Sequence, residues 1–286
     1  MRRTVQKSEL KPGKFLRFCY NSCFGKPLLW LVTRRWLSKL VGAYLDSRLS
    51  KGLIKGYARR NGIDLSQFEP GPFKSFNAFF TRRILPELRP FDIDSDALLS
   101  PCDAKLSAYH IDGDLNFEIK GFNYTVSTLL QNEELAKRYQ DGTCLVFRLC
   151  VDDYHRYHYM DNCTHEAPKF IKGRLHTVQP IALEKRRVFT ENCRECTLMH
   201  TENFGDVMQV EVGALMVGRI VNNHECGAFN RGEEKGRFEF GGSTIVLLLE
   251  KDKAVLDDEI WENTSADNET IVRCGERIGH KPSPIE

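Results

Sequence analysis

The stretch 236–250, GRFEFGGSTIVLLLE, constrains the fold of this chain more than any other. It alternates apolar and polar residues, then turns continuously apolar over 245–249. Alternation marks a half-buried strand, and a short unbroken apolar run suits a strand covered on both faces. Two other runs read as strands of the same kind. Residues 144–150 (CLVFRLC) are mostly apolar and of strand length. Residues 206–221 are β-rich, with Met208, Val210 and Val212 sharing one face and Gln209 and Glu211 the other. Helical signals are fewer: 75–83 (SFNAFFTRR), carrying Phe76, Phe79 and Phe80, and 129–139, the clearest helix in this half. Pro86, Pro90 and Pro101 punctuate a loop-rich stretch between them. The expected class is α+β, with a β-rich catalytic domain over 61–286 preceded by N-terminal amphipathic helices over 1–60.

Charge separates those two regions. Residues 1–60 hold 15 Lys/Arg against 2 Asp/Glu, a balance of +13, while the rest carries −11. Such a split points the N-terminal part at something anionic, nucleic acid or a membrane surface. Apolar interleaving favours the membrane. Over 27–60, Leu29, Val32, Trp36, Leu40 and Tyr44 recur at spacings of three and four, with Arg34, Arg35, Lys39 and Arg48 between or just beyond them. That is an amphipathic helix with a basic polar face, able to lie in the headgroup layer; a core-packing helix with a solvated basic face reads the same way. No apolar run approaches the roughly 20 residues that span a bilayer. The expectation is a protein held peripherally at the cytoplasmic side of the cell membrane, with no nucleic-acid partner. Ten scattered cysteines suit reduced thiols, and the lone Cys193–x–x–Cys196 pair is weak evidence for zinc or redox chemistry.

Three segments carry chemistry. In Gly241-Gly242-Ser243-Thr244, two glycines in a strand pattern mark a bulge or a close backbone approach. A serine placed there has little cover over the preceding carbonyl. Its hydroxyl can attack the Gly242–Ser243 peptide bond, giving an ester that eliminates to dehydroalanine and hydrolyses to a pyruvoyl group. A plain bulge without chemistry is the alternative. In residues 152–158 (DDYHRYH), His155 or His158 can serve as the general base for a nearby hydroxyl. Ordinary packed histidines fit the same spacing, and a metal pair lacks an evident third ligand. In Ser100-Pro101-Cys102-Asp103, the aspartate either satisfies its own turn or orients a histidine.

Together, in this order, these segments resemble the phosphatidylserine decarboxylase family. The likeness extends through Phe79–Arg83 with Arg89-Pro90, Phe204-Gly205, Val212-Gly213-Ala214 with Val217-Gly218, the run 235–244 and Gly275–Gly279 (GERIG). It departs at Ala104, where the family has Gly, at Gly241, which matches one subgroup, and at Asn192-Cys193-Arg194-Glu195, a loose match to Asn-Glu-Arg. The resemblance implies that Ser243 becomes a pyruvoyl cofactor, and that the chain is cut after Gly242 into a β chain and a small α chain. It implies a self-cleavage triad of Asp103, His158 and Ser243, and places His155 in the decarboxylation step. It further implies phosphatidylserine as substrate, phosphatidylethanolamine as product, no metal, and a homodimer. Three alternatives stand beside it: a pyruvoyl enzyme for a soluble amino acid, an uncleaved lipid-binding protein, and a zinc protein using His155, His158, Cys193 and Cys196.

Overall fold

The computed structural model describes residues 2–6, 12–119, 121–215, 219–241 and 243–283. Gly242, and Val217-Gly218 of the family likeness, lie outside the described residues. The class is α+β, with N-terminal helices ahead of a largely antiparallel β body.

The apolar run becomes Ser243–Leu249, every residue of which is buried. It sits in the middle of a ten-stranded antiparallel sheet, between Thr143–Leu149 and Asp206–Val212. Outward on one side follow Ala104–His110, Asn268–Val272 and Thr4–Gln6; on the other, Arg194–Thr201, Cys163–His165 and Gly227–Phe229. Glu234–Phe238 does not continue into this strand. It belongs to a separate three-stranded sheet, between Ile220–Asn222 and Arg156–His158. Gly241 therefore lies in a passage from one sheet to another rather than within one strand.

The small sheet covers one face of the large one. Lys235 Nζ reaches Glu211 Oε1 at 2.7 Å, and Asn222 Nδ2 reaches Glu195 Oε2 at 2.7 Å. Glu211 is registered with Ile245, and side chains two apart on a strand share a face. Ser243 thus points to the face that the small sheet covers.

Two expected helices are broken. The periodicity over 27–60 resolves into Gly25–Val32, Arg35–Asp46 and Gly52–Arg60, with a 3-10 turn at Arg48–Lys51. Thr33 Oγ1 bonds back to the Trp30 carbonyl at 3.2 Å and Ser47 Oγ to Tyr44 at 2.6 Å. Such back-bonding competes with continuation of the helix. The helix expected over 129–139 is split because Gln131 takes a left-handed φ of +48° and Asn132 then caps Glu133–Ala136. The helix expected over 75–83 forms as Phe76–Phe80, capped by Ser75. Residues 1–60 also supply the strand Thr4–Gln6, and Cys19, Tyr20 and Leu29 pack into the same core as the large sheet.

Inside the large sheet, Arg148 Nε donates to Glu269 Oε1 at 2.9 Å, and both side chains are buried. Glu269→Ala strands a buried guanidinium and is expected to cost about 3–5 kcal/mol. Urea denaturation would show this as a lowered midpoint at unchanged slope.

Candidate active site

Ser243 opens the central strand with Leu149 opposite it, and its Oγ is buried without a hydrogen-bond partner. Thr244 Oγ1, on the other face, is also unpartnered. The approach is fixed from the N-terminal side. Phe240 packs edge-on to Phe76 at 5.1 Å and Phe80 at 5.3 Å, and its N–H donates to Asn77 Oδ1. Gly241 follows with φ of +132°, a conformation that side chains oppose.

His155 lies just before the strand Arg156–His158 of the covering sheet. Its Nδ1 meets the Asp153 carbonyl at 2.9 Å, its ring packs 4.3 Å from Phe80, and its Nε2 is buried with no partner. Burial pushes its pKa down to about 3, against a smaller upward pull from the Asp153 and Gly241 backbones. Phe80, which the imidazole packs against, also packs against Phe240, the residue before Gly241.

His158, three residues on, faces a cavity of about 400 Å³ together with Arg89, Phe91, Tyr154 and Cys274. Burial lowers its pKa to about 4, opposed in part by Glu234 and Asp103. Both imidazoles are consequently neutral near pH 7, the form that a general base requires.

Asp103 does not hydrogen-bond to His158. Arg89 takes its carboxylate with two donors, Nε at 2.8 Å and Nη2 at 2.5 Å, and the Cys274 N–H donates to Oδ1 at 2.9 Å. Cys274 Sγ in turn lies 3.1 Å from His158 Nδ1. The aspartate and the histidine are thus joined through Cys274, and no hydrogen bond links Ser243 Oγ to either imidazole. Burial pushes the Cys274 thiol well up, so it stays protonated.

Sequence reasoning missed Arg89 and Cys274 as members of this site. Arg89 had a signal, the Arg-Pro pair shared with the family. Cys274 had none beyond lying beside the GERIG string.

The zinc alternative is not supported by placement. Among the described residues, the one cluster of three metal-capable groups is Cys150, Asp152 and Asp153. His155, His158, Cys193 and Cys196 do not gather into one. Lys105 and Arg148 already bond Asp153 and Cys150 in that cluster.

Comparison with known proteins gives a consistent picture. The family model described as phosphatidylserine decarboxylase matches residues 76–280. A phosphatidylserine decarboxylase proenzyme 2 of Clostridium acetobutylicum is 44% identical over 274 residues, covering 96% of this chain and 94% of the relative. The proenzyme of Ruminiclostridium cellulolyticum is 42% identical, covering 94% and 91%, and that of Desulfitobacterium hafniense is 40% identical, covering 96% and 95%.

Proposed function

The chain belongs to the phosphatidylserine decarboxylase family and is an enzyme of that class; on that premise we propose that it converts phosphatidylserine to phosphatidylethanolamine at a membrane surface, after cutting its own backbone between Gly242 and Ser243. The Ser243 hydroxyl carries this reading: it is buried at the mouth of the central strand, two residues from a strained glycine, and bonded to nothing. An unpaired buried hydroxyl costs about 1–3 kcal/mol, and such a cost is explicable where the group is consumed chemically. The residues present fit a pyruvoyl group at 243.

In the cut, Ser243 Oγ attacks the Gly242 carbonyl carbon as an imidazole takes its proton, and the amide nitrogen leaves as the free amine of residue 243. Loss of the Cα proton and rupture of the Cβ–Oγ bond then release Gly242 as a carboxylate and leave dehydroalanine. Water replaces its nitrogen, which departs as ammonia. His158, neutral by burial and backed by Asp103 through Cys274, is assigned the base; Arg89 fixes that aspartate. His155, with a free Nε2 and its ring packed on Phe80, is assigned proton transfer in the decarboxylation. The pyruvoyl group supplies the electron sink for the departing carbon dioxide. After the cut, the small chain from 243 onward remains held, because its first strand pairs on both edges with the large chain.

The N-terminal helices support surface action. Trp30, Trp36, Leu40 and Tyr44 are each roughly half exposed, and Phe24 and Leu49 more so, among exposed Lys26, Lys39 and Arg48. Among the described residues, no helix is long and apolar enough to cross a membrane. All ten cysteines are unpaired, in keeping with the cytoplasmic side. Trp36→Glu with Leu40→Glu is expected to weaken vesicle binding roughly thirty-fold or more by flotation, at about 1–2 kcal/mol for each lost insertion. Self-cleavage should be untouched.

Mass spectrometry of the purified protein tests the central claim. A fragment starting at 243 without a free amino group, in protein that makes phosphatidylethanolamine, is expected. An uncut chain with full activity would overturn it.

A further inference from the structure

A second cavity, of about 610 Å³, lies between the helix Arg35–Asp46 and the large sheet. It has the size of a small-molecule site. Its helical wall presents Arg35, Lys39 and Gly42, at spacings of four and three along one face. The exposed Trp36 and Leu40 occupy the neighbouring stripe. The cavity therefore opens beside the surface that meets lipid.

The sheet wall presents Glu195 and Gly213. Gly213 N–H donates to the Cys193 carbonyl, and Glu195 is registered with Glu211, which is registered with Ile245. All of these lie on the face to which Ser243 points. Gly213 also extends its strand one residue past Val212, the register partner of Thr244. The cavity's sheet wall therefore lies toward the end of the sheet where residue 243 begins, although Ser243 itself does not line it.

Its charges are available. Neither Arg35 nor Lys39 is ion-paired with any described residue; Arg35 rests over the Phe170 ring at 4.9 Å. Among the described residues, Glu195 is hydrogen-bonded by the Asn222 amide and is in no ion pair. Arg35 and Lys39 thus line one end of the helical wall and Asp46, bonded by the Asn77 amide, the other, while Glu195 lines the sheet wall; Arg219 and Glu239, also in the lining, pair with each other at 2.9 Å. Gly42 leaves open space where a side chain would project.

Resting on the function proposed above, we propose that this cavity is the headgroup subsite for membrane-borne phosphatidylserine, in which Arg35 and Lys39 hold the phosphodiester and Glu195 steers the ammonium toward residue 243. The phosphodiester is an acceptor for both cations, and Glu195 on the facing wall is an acceptor for the ammonium.

Binding is tested apart from catalysis on Ser243→Ala protein, by calorimetric titration with soluble glycerophosphoserine. Adding Arg35→Gln with Lys39→Gln is expected to weaken binding at least tenfold, and adding Gly42→Trp, which fills open space, should abolish it. In the cleaved enzyme, with short-chain phosphatidylserine in uncharged detergent micelles, the double charge variant should raise KM at least tenfold with kcat within twofold. Unchanged glycerophosphoserine binding in both variants overturns the subsite. So does a loss that appears only with anionic vesicles, since the cations then act by surface attraction alone. Wild-type protein that is uncut and inactive would count against the decarboxylase reading, while the Ser243→Ala titration still decides the subsite.

Discussion

Ser243→Ala protein is expected to be purified as one uncut chain that releases no carbon dioxide from phosphatidylserine. The whole electron sink derives from this residue, so activity should drop to background, a loss of at least about 10⁶-fold. The fold should survive. Ser243 Oγ is buried and makes no hydrogen bond, so removing it breaks no contact and relieves a desolvated hydroxyl. Stability should be unchanged or higher by about 1 kcal/mol, visible as a thermal midpoint equal to or slightly above that of the uncut parent. Inactivity with an intact melting transition separates lost chemistry from lost structure. A lipid-binding protein with this fold but no chemistry would behave identically with serine or alanine at 243. Cleavage of the alanine variant, or decarboxylation by it, would refute the assignment.

The central strand was legible because its signal is local: five consecutive apolar residues, 245–249, leave no polar face to misread. The passage between sheets was not, since an alternating run before Gly241 and an apolar run after it look the same whether or not one sheet holds both. Helix breaks at Thr33 and Gln131 depend on one hydroxyl and one left-handed residue, which hydrophobic spacing averages away. The strand Thr4–Gln6 gave no cue, because three residues carry no pattern and its partner lies near the other end of the chain. In the site, residue types that do chemistry stand out in the sequence, as Asp103, His155, His158 and Ser243 do. Their connection does not. Cys274 meets Asp103 across 171 positions, and only the folded sheet brings its backbone N–H to that carboxylate.

Acid should unfold this protein well above the pH at which carboxylates titrate. His155, His158 and His176 are buried and neutral, with pKa values held down to about 3, 4 and 4, chiefly by burial. An unfolded chain takes up protons on all three below about pH 6.5, while the native state refuses them. The state that binds more protons gains as pH falls, so native stability is complete above pH 6.5 and declines below it. At pH 5 the cost is about 2 kcal/mol for each histidine, roughly 6 in all. Asp153 works the other way: burial pushes its carboxyl up to about 6, which returns about 1 kcal/mol at pH 5. The balance, near 5 kcal/mol, is comparable to the whole stability of an ordinary domain. Urea titrations at pH 7 and pH 5 should therefore differ by several kcal/mol. His176→Gln supplies the control, because it keeps an acceptor for the Tyr20 hydroxyl, which lies 3.0 Å from Nδ1, and cannot titrate. Its drop between pH 7 and pH 5 should be smaller than that of the parent by about 2 kcal/mol. Equal stability of the parent at the two pH values would mean that these imidazoles are charged or solvated in the native state, and with that His158 would lose its standing as a neutral base.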